Sequence, residues 1–394
     1  MYYNRPVMTA VPVRIPAPAL RWLAPLASEA RRLGAPVHAV GGCVRDWLLG
    51  RPTKDFDLVG ERDMAPLAKF CLRRWGGNLE SFGAFQTMRF KTKTGFRLDF
   101  VRARSEVYRA PAALPSVKPG TLEEDLARRD FSINAMAVRL DEGGGDLLDP
   151  HGGRKDLERG VIRVLHPASF RDDPTRLFRA ARYGRRYGFK PDASTEKLRL
   201  DAMKGRFAEL LSRERLRNEL LRVLEEEDPA PVLAQLKKWG LARLFHPDFS
   251  WPEGVAAMEG APGRLGLVAL HMQSLSLKSG TEDDGSDFVR SLNLERLLTQ
   301  ELLEALDVEK RKASPRSPLA ALSRRLLESV HPDLPAAALE PLLVSGKDLK
   351  SLGLDAGPEF RSLLDHAARA QWRGEFSTRS QALRWLRSWV TASK

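Results

Sequence analysis

The spacing of apolar residues changes part-way along this chain of 394 residues. Up to about residue 150, short apolar runs of strand length alternate with amphipathic helical segments. From about Phe170 onward, apolar residues recur at intervals of three and four, which is typical of helices. A chain of this length is long enough for roughly two to four domains. The pattern predicts an α+β fold, in which a small head with a mixed β-sheet and flanking helices precedes an all-helical remainder.

Within the first part, the local pattern predicts an alternation of helices and strands. The predicted helices are Ala19–Leu33, Cys43–Leu49 and Met64–Trp75. The predicted strands are Val37–Val40, Phe56–Val59, Phe85–Lys91 and Phe96–Arg102. Farther along, the polar and glycine-containing stretch Ser276–Asp287 predicts a loop that would suit a domain boundary.

The composition favours a partner that carries negative charge. The chain has 64 Lys and Arg against 51 Asp and Glu, a formal net charge of +13, and enough hydrophobic residues (43%) to bury cores. Such an excess favours nucleic acid or an anionic membrane as the partner, although it also fits a well-solvated surface.

Other features narrow the class of protein. No apolar run approaches the roughly 18 residues that a membrane span needs, and the N-terminal stretch lacks the order of a signal peptide. The two cysteines, Cys43 and Cys71, are too few for a disulfide scaffold or a cysteine zinc site. We therefore expect a soluble, reduced, cytoplasmic protein that does not contact a membrane.

A glycine pair and a pair of carboxylates follow the first two predicted strands. Gly41-Gly42 would let backbone N–H groups approach a phosphate at the start of a helix. Asp55 and Asp57 are separated by one residue on a strand, so both carboxylates project from the same face. This combination suits magnesium held between protein and triphosphate, with two ions stabilising the attacking and leaving oxygens. Asp99, on a later strand, could complete the set of ligands.

Each element also has an ordinary structural interpretation, since a glycine pair is usually a turn and Asp-x-Asp is often a solvated edge. Together they carry more weight: GGCVRDWLLGRPTKDFDLV resembles the head of the nucleotidyltransferase superfamily that contains bacterial tRNA nucleotidyltransferases and poly(A) polymerases, the class II family. This resemblance implies catalytic carboxylates at Asp55, Asp57 and Asp99 and two Mg²⁺ ions bound at Asp55 and Asp57. It also implies nucleotide binding at Gly41, Gly42 and Arg45.

The segment LEEDLARRDFSINAMAV (122–138) is similar to the ribose-binding segment of the same family. The resemblance implies contacts with the ribose and triphosphate from Asp125, Arg128, Arg129, Asp130 and Asn134. On its own, such a run would instead be the charged face of a helix.

The segment SFRDDPTRLFRAARYGRRYGF (169–189) contains Asp173 directly before a proline, with Arg176 one turn later. On local grounds Asp173 is equally well an N-cap, because proline is favoured in the first helical turn. As a pair, a carboxylate that accepts from an exocyclic amine and an arginine that donates to a ring acceptor would admit cytosine and adenine and reject guanine and uracil.

This segment resembles the nucleotide-selecting motif of the family, in which an acidic pair is followed three residues later by arginine. Asp172 stands where many members have Glu, so the role of that first acid is open. Asp173 and Arg176 match the motif, and Arg179 and Arg182 on the same helix are assigned to nucleotide binding with them.

The resemblance divides the chain into four parts: a catalytic head (1–150), a helical neck with the selecting motif (151–227), a helical body (228–340) and a helical tail that binds tRNA (341–394). In the tail, Lys347 and Lys350 among Gly346, Gly353 and Gly357 suit RNA phosphates. Helix punctuation with solvated lysines explains them as well. The implied partners are the acceptor end and elbow of tRNA, and ATP, with CTP left open.

Other functions fit less well. An HD-type phosphohydrolase would use Asp365-His366, but the histidines are scattered along the chain. A poly(A) polymerase shares the head, yet the long basic C-terminal extension is missing. A non-catalytic RNA-binding protein would not need Asp55 and Asp57. Members of the family add CCA, CC or only the last A, and the stretches at 105–126 and 161–176 favour A addition.

Overall fold

The computed structural model describes residues 11–53, 55–82, 87–141, 145–281, 285–354 and 357–392. The chain forms two compact units, 1–211 and 212–394. The first combines a mixed sheet with helices and the second is helical, which confirms the predicted α+β class. The finer division into head, neck, body and tail stays a prediction. No helix within the described ranges is long and apolar enough to cross a membrane.

The first unit is built on a sheet of eight strands in the order β1-β10-β9-β2-β3-β6-β5-β4. These strands are β1 (Val11–Val13), β2 (His38–Val40), β3 (Asp55–Gly60), β4 (Asn78–Phe82), β5 (Thr87–Lys91), β6 (Arg97–Arg102), β9 (Ala137–Arg139) and β10 (Gly145–Leu148). Two small ribbons complete its strands: β7 (Arg104–Val107) with β8 (Ser116–Pro119), and β11 (Val161–Ile162) with β12 (Lys190–Pro191).

Two strand pairs at the centre of the sheet position the carboxylates Asp57 and Asp99. β2 and β3 are antiparallel, with Val40 opposite Asp57, whereas β3 and β6 are parallel, with Asp57 opposite Asp99. β5 then pairs antiparallel with β6. Paired residues present their side chains on the same face, so one face of the sheet collects charges from three neighbouring strands.

The helices of the first unit are α1 (Ala17–Arg32), α2 (Gly42–Leu48), α3 (Ala65–Trp75), α4 (Leu122–Ala127), α5 (Gly153–Arg159), α6 (Ser169–Asp172), α7 (Thr175–Tyr187) and α8 (Ala193–Lys204). Helix α4 begins with a capping box, in which Thr121 Oγ1 accepts from the Glu124 N–H and Glu124 Oε2 accepts from the Thr121 N–H. This reciprocal cap fixes where the helix begins.

The apolar face of the central sheet carries an aromatic cluster. Phe56 on β3 lies 4.9 Å from Phe96 and 6.0 Å from Trp47 between ring centroids, and Phe96 stacks on Trp22 of α1 at 4.6 Å. Trp75 of α3 contacts Phe90 of β5. Because side chains alternate along a strand, this packing leaves the neighbours of Phe56 and Phe90 on the opposite, charged face.

The helices of the second unit are α9 (Arg213–Leu224), α10 (Ala230–Lys238), α11 (Gly260–Ser279), α12 (Gly285–Ser291), α13 (Arg296–Arg311), α14 (Ala321–Val330), α15 (Gly346–Ser351), α16 (Pro358–Trp372) and α17 (Arg379–Ala392). The Arg264 guanidinium donates to backbone carbonyls that include Leu224 and Met258, which ties the end of α9 to α11. Buried residues of α15, α16 and α17 form a separate apolar core around Leu349, Leu363 and Leu386.

Most predicted segments of the first unit are confirmed within two residues. The strand expected over Phe85–Lys91 is described from Thr87, and 83–86 lie outside the described residues. The loop expected over Ser276–Asp287 is wrong at both ends, because α11 continues to Ser279 and α12 begins at Gly285. Ser276 is buried against Thr281 and donates or accepts at 2.9 Å there, so polar composition did not prevent helix formation.

Candidate active site

The carboxylates of β3 lie on the charged face of the sheet. Asp55 and Asp57 are exposed, whereas Phe56 and Leu58 between and after them are buried. Although Asp57 reaches solvent, the protein that surrounds it removes water and raises the pKa of its carboxyl group. Asp99 and Asp55 raise this pKa further, and Arg129 opposes them. A cation placed beside Asp57 would relieve this like-charge repulsion.

Asp99 is nearby but is already paired. Arg89 on β5 donates two hydrogen bonds to its carboxylate, at 2.8 and 2.9 Å, and the Asp99 side chain is only 11% exposed. Arg97 Nε lies 3.2 Å from Asp55 Oδ1 and 3.7 Å from Asp99 Oδ2. The structure therefore places Asp99 beside Asp57, but the Asp99 carboxylate is already paired with Arg89. The role of Asp99 as a metal ligand stays a prediction.

Gly41 is favoured by its backbone conformation, and it lies close to the Arg129 guanidinium. Its φ of 74° is a conformation that L-residues with a side chain rarely adopt, and a Cβ there would lie 2.6 Å from Arg129 Nη1. Gly42 begins α2 directly after it. The turn thus brings the start of α2 and the Arg129 guanidinium together, next to the strand that carries Asp57.

Arg45 connects this turn to the 3₁₀ turn at residues 132–134. The buried Arg45 donates to Asn134 Oδ1 at 2.6 Å and to Asp46 Oδ1 at 2.9 Å. Asn134 in turn donates to Asp130 Oδ1 at 3.0 Å. Arg45, Asn134 and Asp130, which the family pattern assigns to nucleotide binding, are therefore brought together. Asp46 is the fourth member of this hydrogen-bond network.

Asp130 is buried and tied to α7. Burial alone would raise its pKa, but the charge of Arg179 and hydrogen bonds from Asn134 and Arg179 hold the pKa below its usual value. Arg179 Nε donates to Asp130 Oδ2 at 2.6 Å, and its Nη2 donates to the Tyr183 hydroxyl at 2.9 Å. The ion pair joins the segment after α4 to α7, both within the first unit.

Asp125 is the centre of a second ion-pair network. Fully buried, it accepts from Arg128 at 2.7 Å and from Arg129 at 2.9 Å. Burial would raise the pKa of Asp125, but these two arginines hold it below its usual value. Arg128 also donates to Glu106 Oε1 at 3.0 Å. Both arginines are thus held in place before any substrate arrives.

Asp173 makes a local contact in the structure. Its Oδ1 accepts from the Thr175 N–H at 3.1 Å and from Thr175 Oγ1 at 2.6 Å, at the start of α7. Arg176 is buried and donates to Ser169 Oγ at 2.5 Å and to the Arg128 carbonyl at 2.7 Å. The structure brings the two residues to the same helix start but gives each its own partners, so base selection by this pair stays a prediction.

The remaining predicted residues, Arg182, Lys347 and Lys350, belong to different units of the structure. Arg182 is buried in α7, in the first unit with the other nucleotide-binding candidates. Lys347 and Lys350 are exposed on α15, in the second unit. Ser345 and Asp348 form a capping box that fixes the start of that helix. The lysine side chains are accessible to a phosphate backbone.

Several residues that sequence reasoning missed contribute to the site. They are Arg89, Arg97, Glu106, Tyr108, His166, Ser169, Tyr183 and Tyr187. The Arg45 guanidinium lies over the Tyr187 ring at 4.8 Å from its centroid. A signal was present for some of them, since Arg89 and Arg97 alternate with buried residues on strands. Glu106 gave none, because its partner Arg128 lies 22 positions away in the sequence.

The carboxylates suit a hard divalent cation. Mg²⁺ usually takes one or two carboxylates from the protein and completes its shell with water and substrate phosphates. Asp55 and Asp57 are accessible, share one face, and repel each other and Asp99. Among the described residues, no three acidic, histidine or cysteine side chains converge into a ready-made cage. The donor set therefore fits ions that substrate phosphates help to hold.

Known proteins resemble this chain. The family described as Poly A polymerase head domain matches residues 37–163. The A-adding tRNA nucleotidyltransferase of Halalkalibacterium halodurans is 30% identical, with 93% of this chain and 92% of that protein covered. The one of Geobacter sulfurreducens is 32% identical over 97% of this chain, which spans only 48% of that relative. The solved structure of a CCA-adding enzyme in an apo form is 26% identical, with 95% and 96% covered and a TM-score of 0.66.

Proposed function

The chain belongs to the tRNA nucleotidyltransferase family, and on that premise we propose that it adds nucleotides to the 3′ end of tRNA without a nucleic-acid template. The observation that carries this proposal is the placement of Asp55 and Asp57 next to the Gly41 turn and Arg129. Carboxylates beside a phosphate-binding turn are what phosphoryl transfer needs, because positioning and charge neutralisation provide most of the catalysis.

The proposed reaction joins the 3′ oxygen of the RNA to the α-phosphorus of the nucleotide. The bond from that phosphorus to the β-phosphate oxygen breaks, pyrophosphate leaves, and the hydroxyl proton passes to solvent. Nucleotidyltransferases use divalent metal ions, and we propose two Mg²⁺ ions at Asp55 and Asp57, where they would neutralise charge on the attacking and leaving oxygens. Arg129 and the N–H groups at the start of α2 would bind the triphosphate.

Base choice would occur at the start of α7. We propose that, when a base binds, Asp173 exchanges its bond to Thr175 and Arg176 exchanges its bond to Ser169. The proposed exchange gives an acceptor for the exocyclic amine and a donor for the adjacent ring atom of adenine or cytosine. A site built on such bonds rejects bases that leave buried groups unpaired.

Among the products that the family makes, we propose addition of the terminal A from ATP. Two relatives similar over nearly the whole of this chain are named for A addition. Their names agree with the sequence stretches at 105–126 and 161–176, which favour A addition. Addition of the whole CCA end is the second candidate, since the structural neighbour is a CCA-adding enzyme. The same names favour tRNA over the RNA ends that a poly(A) polymerase would extend.

Recognition of tRNA beyond its 3′ end would fall to the helical unit. Exposed Lys347 and Lys350 would contact RNA phosphates, and the excess of positive charge over the whole chain supports a polyanionic partner. A location in the cytoplasm follows from this proposed substrate.

The test is incorporation of labelled ATP and CTP into three forms of tRNA: lacking CCA, ending in C, and ending in CC. The proposal expects ATP incorporation only into the form that ends in CC, and incorporation of both nucleotides into all forms would indicate CCA addition. Asp57→Ala serves as the inactive control. Absence of incorporation by the wild-type protein with Mg²⁺ on every form would overturn the proposed function.

A further inference from the structure

Two basic side chains lie on the side of Asp55 that faces away from the glycine turn. In the sheet, Asp55 pairs with Arg97 on β6, and Arg97 pairs with Lys91 on β5. β2, which leads into Gly41, lies on the other side of β3. Asp55 and Asp57 therefore separate the proposed triphosphate side from a basic strip that consists of Arg97 and Lys91.

Arg97, which belongs to this strip, and its neighbour Arg89 differ in how firmly they are held. Arg89 makes two short hydrogen bonds to the buried Asp99, which fixes it in place. Arg97 has only ion pairs of 3.2 and 3.7 Å, and its Nε has no hydrogen-bond partner among the described residues. Lys91 is exposed and makes no ion pair in the described part of the chain. The strip therefore offers two cations that can take a new partner.

The geometry of phosphoryl transfer says what must approach from this side. Attacking and leaving oxygens lie roughly in line through the transferred phosphorus. With pyrophosphate leaving toward Gly41 and Arg129, the attacking 3′-hydroxyl must arrive from the β6 and β5 side. The strand that carries this hydroxyl brings its own phosphodiesters to the strip.

We propose that Arg97 and Lys91 bind the last phosphodiesters of the acceptor RNA strand and so position its 3′-hydroxyl. This inference rests on the proposed function. In the structure described, Asp55 pairs with Arg97. When Asp55 instead faces a metal ion, Arg97 loses that partner and is available to a phosphate. The strip is thus a binding subsite for the acceptor strand, distinct from the site of the incoming triphosphate.

The experiment measures binding of tRNA that ends in CC to the full chain, with Mg²⁺ and without ATP. Arg97→Gln should raise Kd about tenfold, the size of one hydrogen-bonded contact to a charge. Arg97→Lys should restore most of the affinity, and Lys91→Gln should weaken binding less. Lys69→Gln removes a positive charge at an exposed position of α3, the helix whose Trp75 packs against Phe90 on the apolar face of the sheet, and should leave Kd unchanged.

A neutral methylphosphonate at the last linkage of the RNA identifies the contact. It should weaken binding to the wild type but add little to the defect of Arg97→Gln, because both changes remove the same pair of charges. Full additivity of the two losses would overturn the proposal. An unchanged Kd, together with a higher Mg²⁺ requirement, would overturn it as well, by assigning Arg97 to the carboxylates alone.

This design separates the inference from the proposed function. Binding needs no turnover, so the subsite is judged even if incorporation by the wild type fails. Melting temperatures of all variants show whether a loss of binding reflects unfolding. Binding of ATP without RNA should be equal in wild type and Arg97→Gln, and a loss there would place Arg97 on the triphosphate instead of the acceptor strand.

Discussion

The two ends of the candidate site hold their charges in opposite ways. At the metal end, Asp55 and Asp57 are exposed, and neighbouring acids help to raise the pKa of Asp57. The other end contains the predicted ribose-contacting and base-selecting residues and is here called the base end. Asp125 and Asp130 are buried there, and arginines hold both pKa values below their usual range. The difference indicates that the base end is a preformed scaffold, whereas a cation from solution would favour the charged form of Asp57 at the metal end.

Removing a carboxylate from the metal end should have the largest effect on activity and almost none on folding. Asp57→Ala should lower turnover at least about 1000-fold, since a metal ligand supplies several kcal/mol of transition-state stabilisation. The melting temperature should stay equal or rise, because a repulsive charge is lost. Steady-state incorporation and thermal unfolding check both parts, and near-normal turnover would remove Asp57 from the metal site.

The opposite outcome is expected at the base end. Asp130→Ala should destabilise the protein by about 3–5 kcal/mol, because the partly buried Arg179 charge would lose the Asp130 carboxylate. Glu158→Ala, which breaks an exposed ion pair with Arg154 at 3.1 Å, should cost less than about 1 kcal/mol. Chemical denaturation measures both values. Equal effects would contradict the description of Asp130 as scaffold.

Removing the charge of Asp130 should also change how stability depends on pH. The folded pKa of Asp130 lies below its unfolded value, so its stabilising contribution is complete above the unfolded pKa. It is lost as the pH falls through the folded pKa. The stability difference between wild type and Asp130→Asn should therefore shrink in acid.

Asp173 has two candidate roles, as the cap of α7 and as a base-selecting residue. If it is only a cap, Asp173→Asn should be nearly silent, since Asn caps about as well as Asp. If it selects the base, the amide can donate where the carboxylate accepted, and use of GTP or UTP should rise relative to ATP. Incorporation of all four nucleotides, with melting temperature alongside, decides between these roles. Unchanged selectivity with normal stability would leave Asp173 as a cap.

The smallest effect is expected in the second unit, at residues that are not part of the candidate active site. Reversing the charge of both Lys347 and Lys350 should reduce the slope of log affinity against log salt by about two, if each meets a phosphate. Affinity for tRNA measured between roughly 50 and 200 mM salt checks this. A slope that does not change would mean that these lysines are only solvated.

Local sequence patterns predicted the helices and strands that carry the site. The strand and the ion pairs that they did not predict depend on residues far apart in the sequence. The Asp55-Phe56-Asp57 alternation and the glycine turn are readable from neighbours alone. β1 is held by β10, whose residues are about 135 positions away, and no local signal marks it. Likewise, Arg89 binds Asp99 across two strands and Arg128 binds Glu106 across 22 residues. Such partners follow from tertiary packing.

Thermal unfolding with increasing Mg²⁺ in the presence of ATP tests most directly whether the carboxylates of the metal end bind cations from solution. The wild type should gain stability as Mg²⁺ rises, because a ligand that binds only the folded state stabilises it. Asp57→Asn, which keeps the shape of the side chain but removes its charge, should gain much less. An equal gain in both proteins, or none in the wild type, would contradict the account.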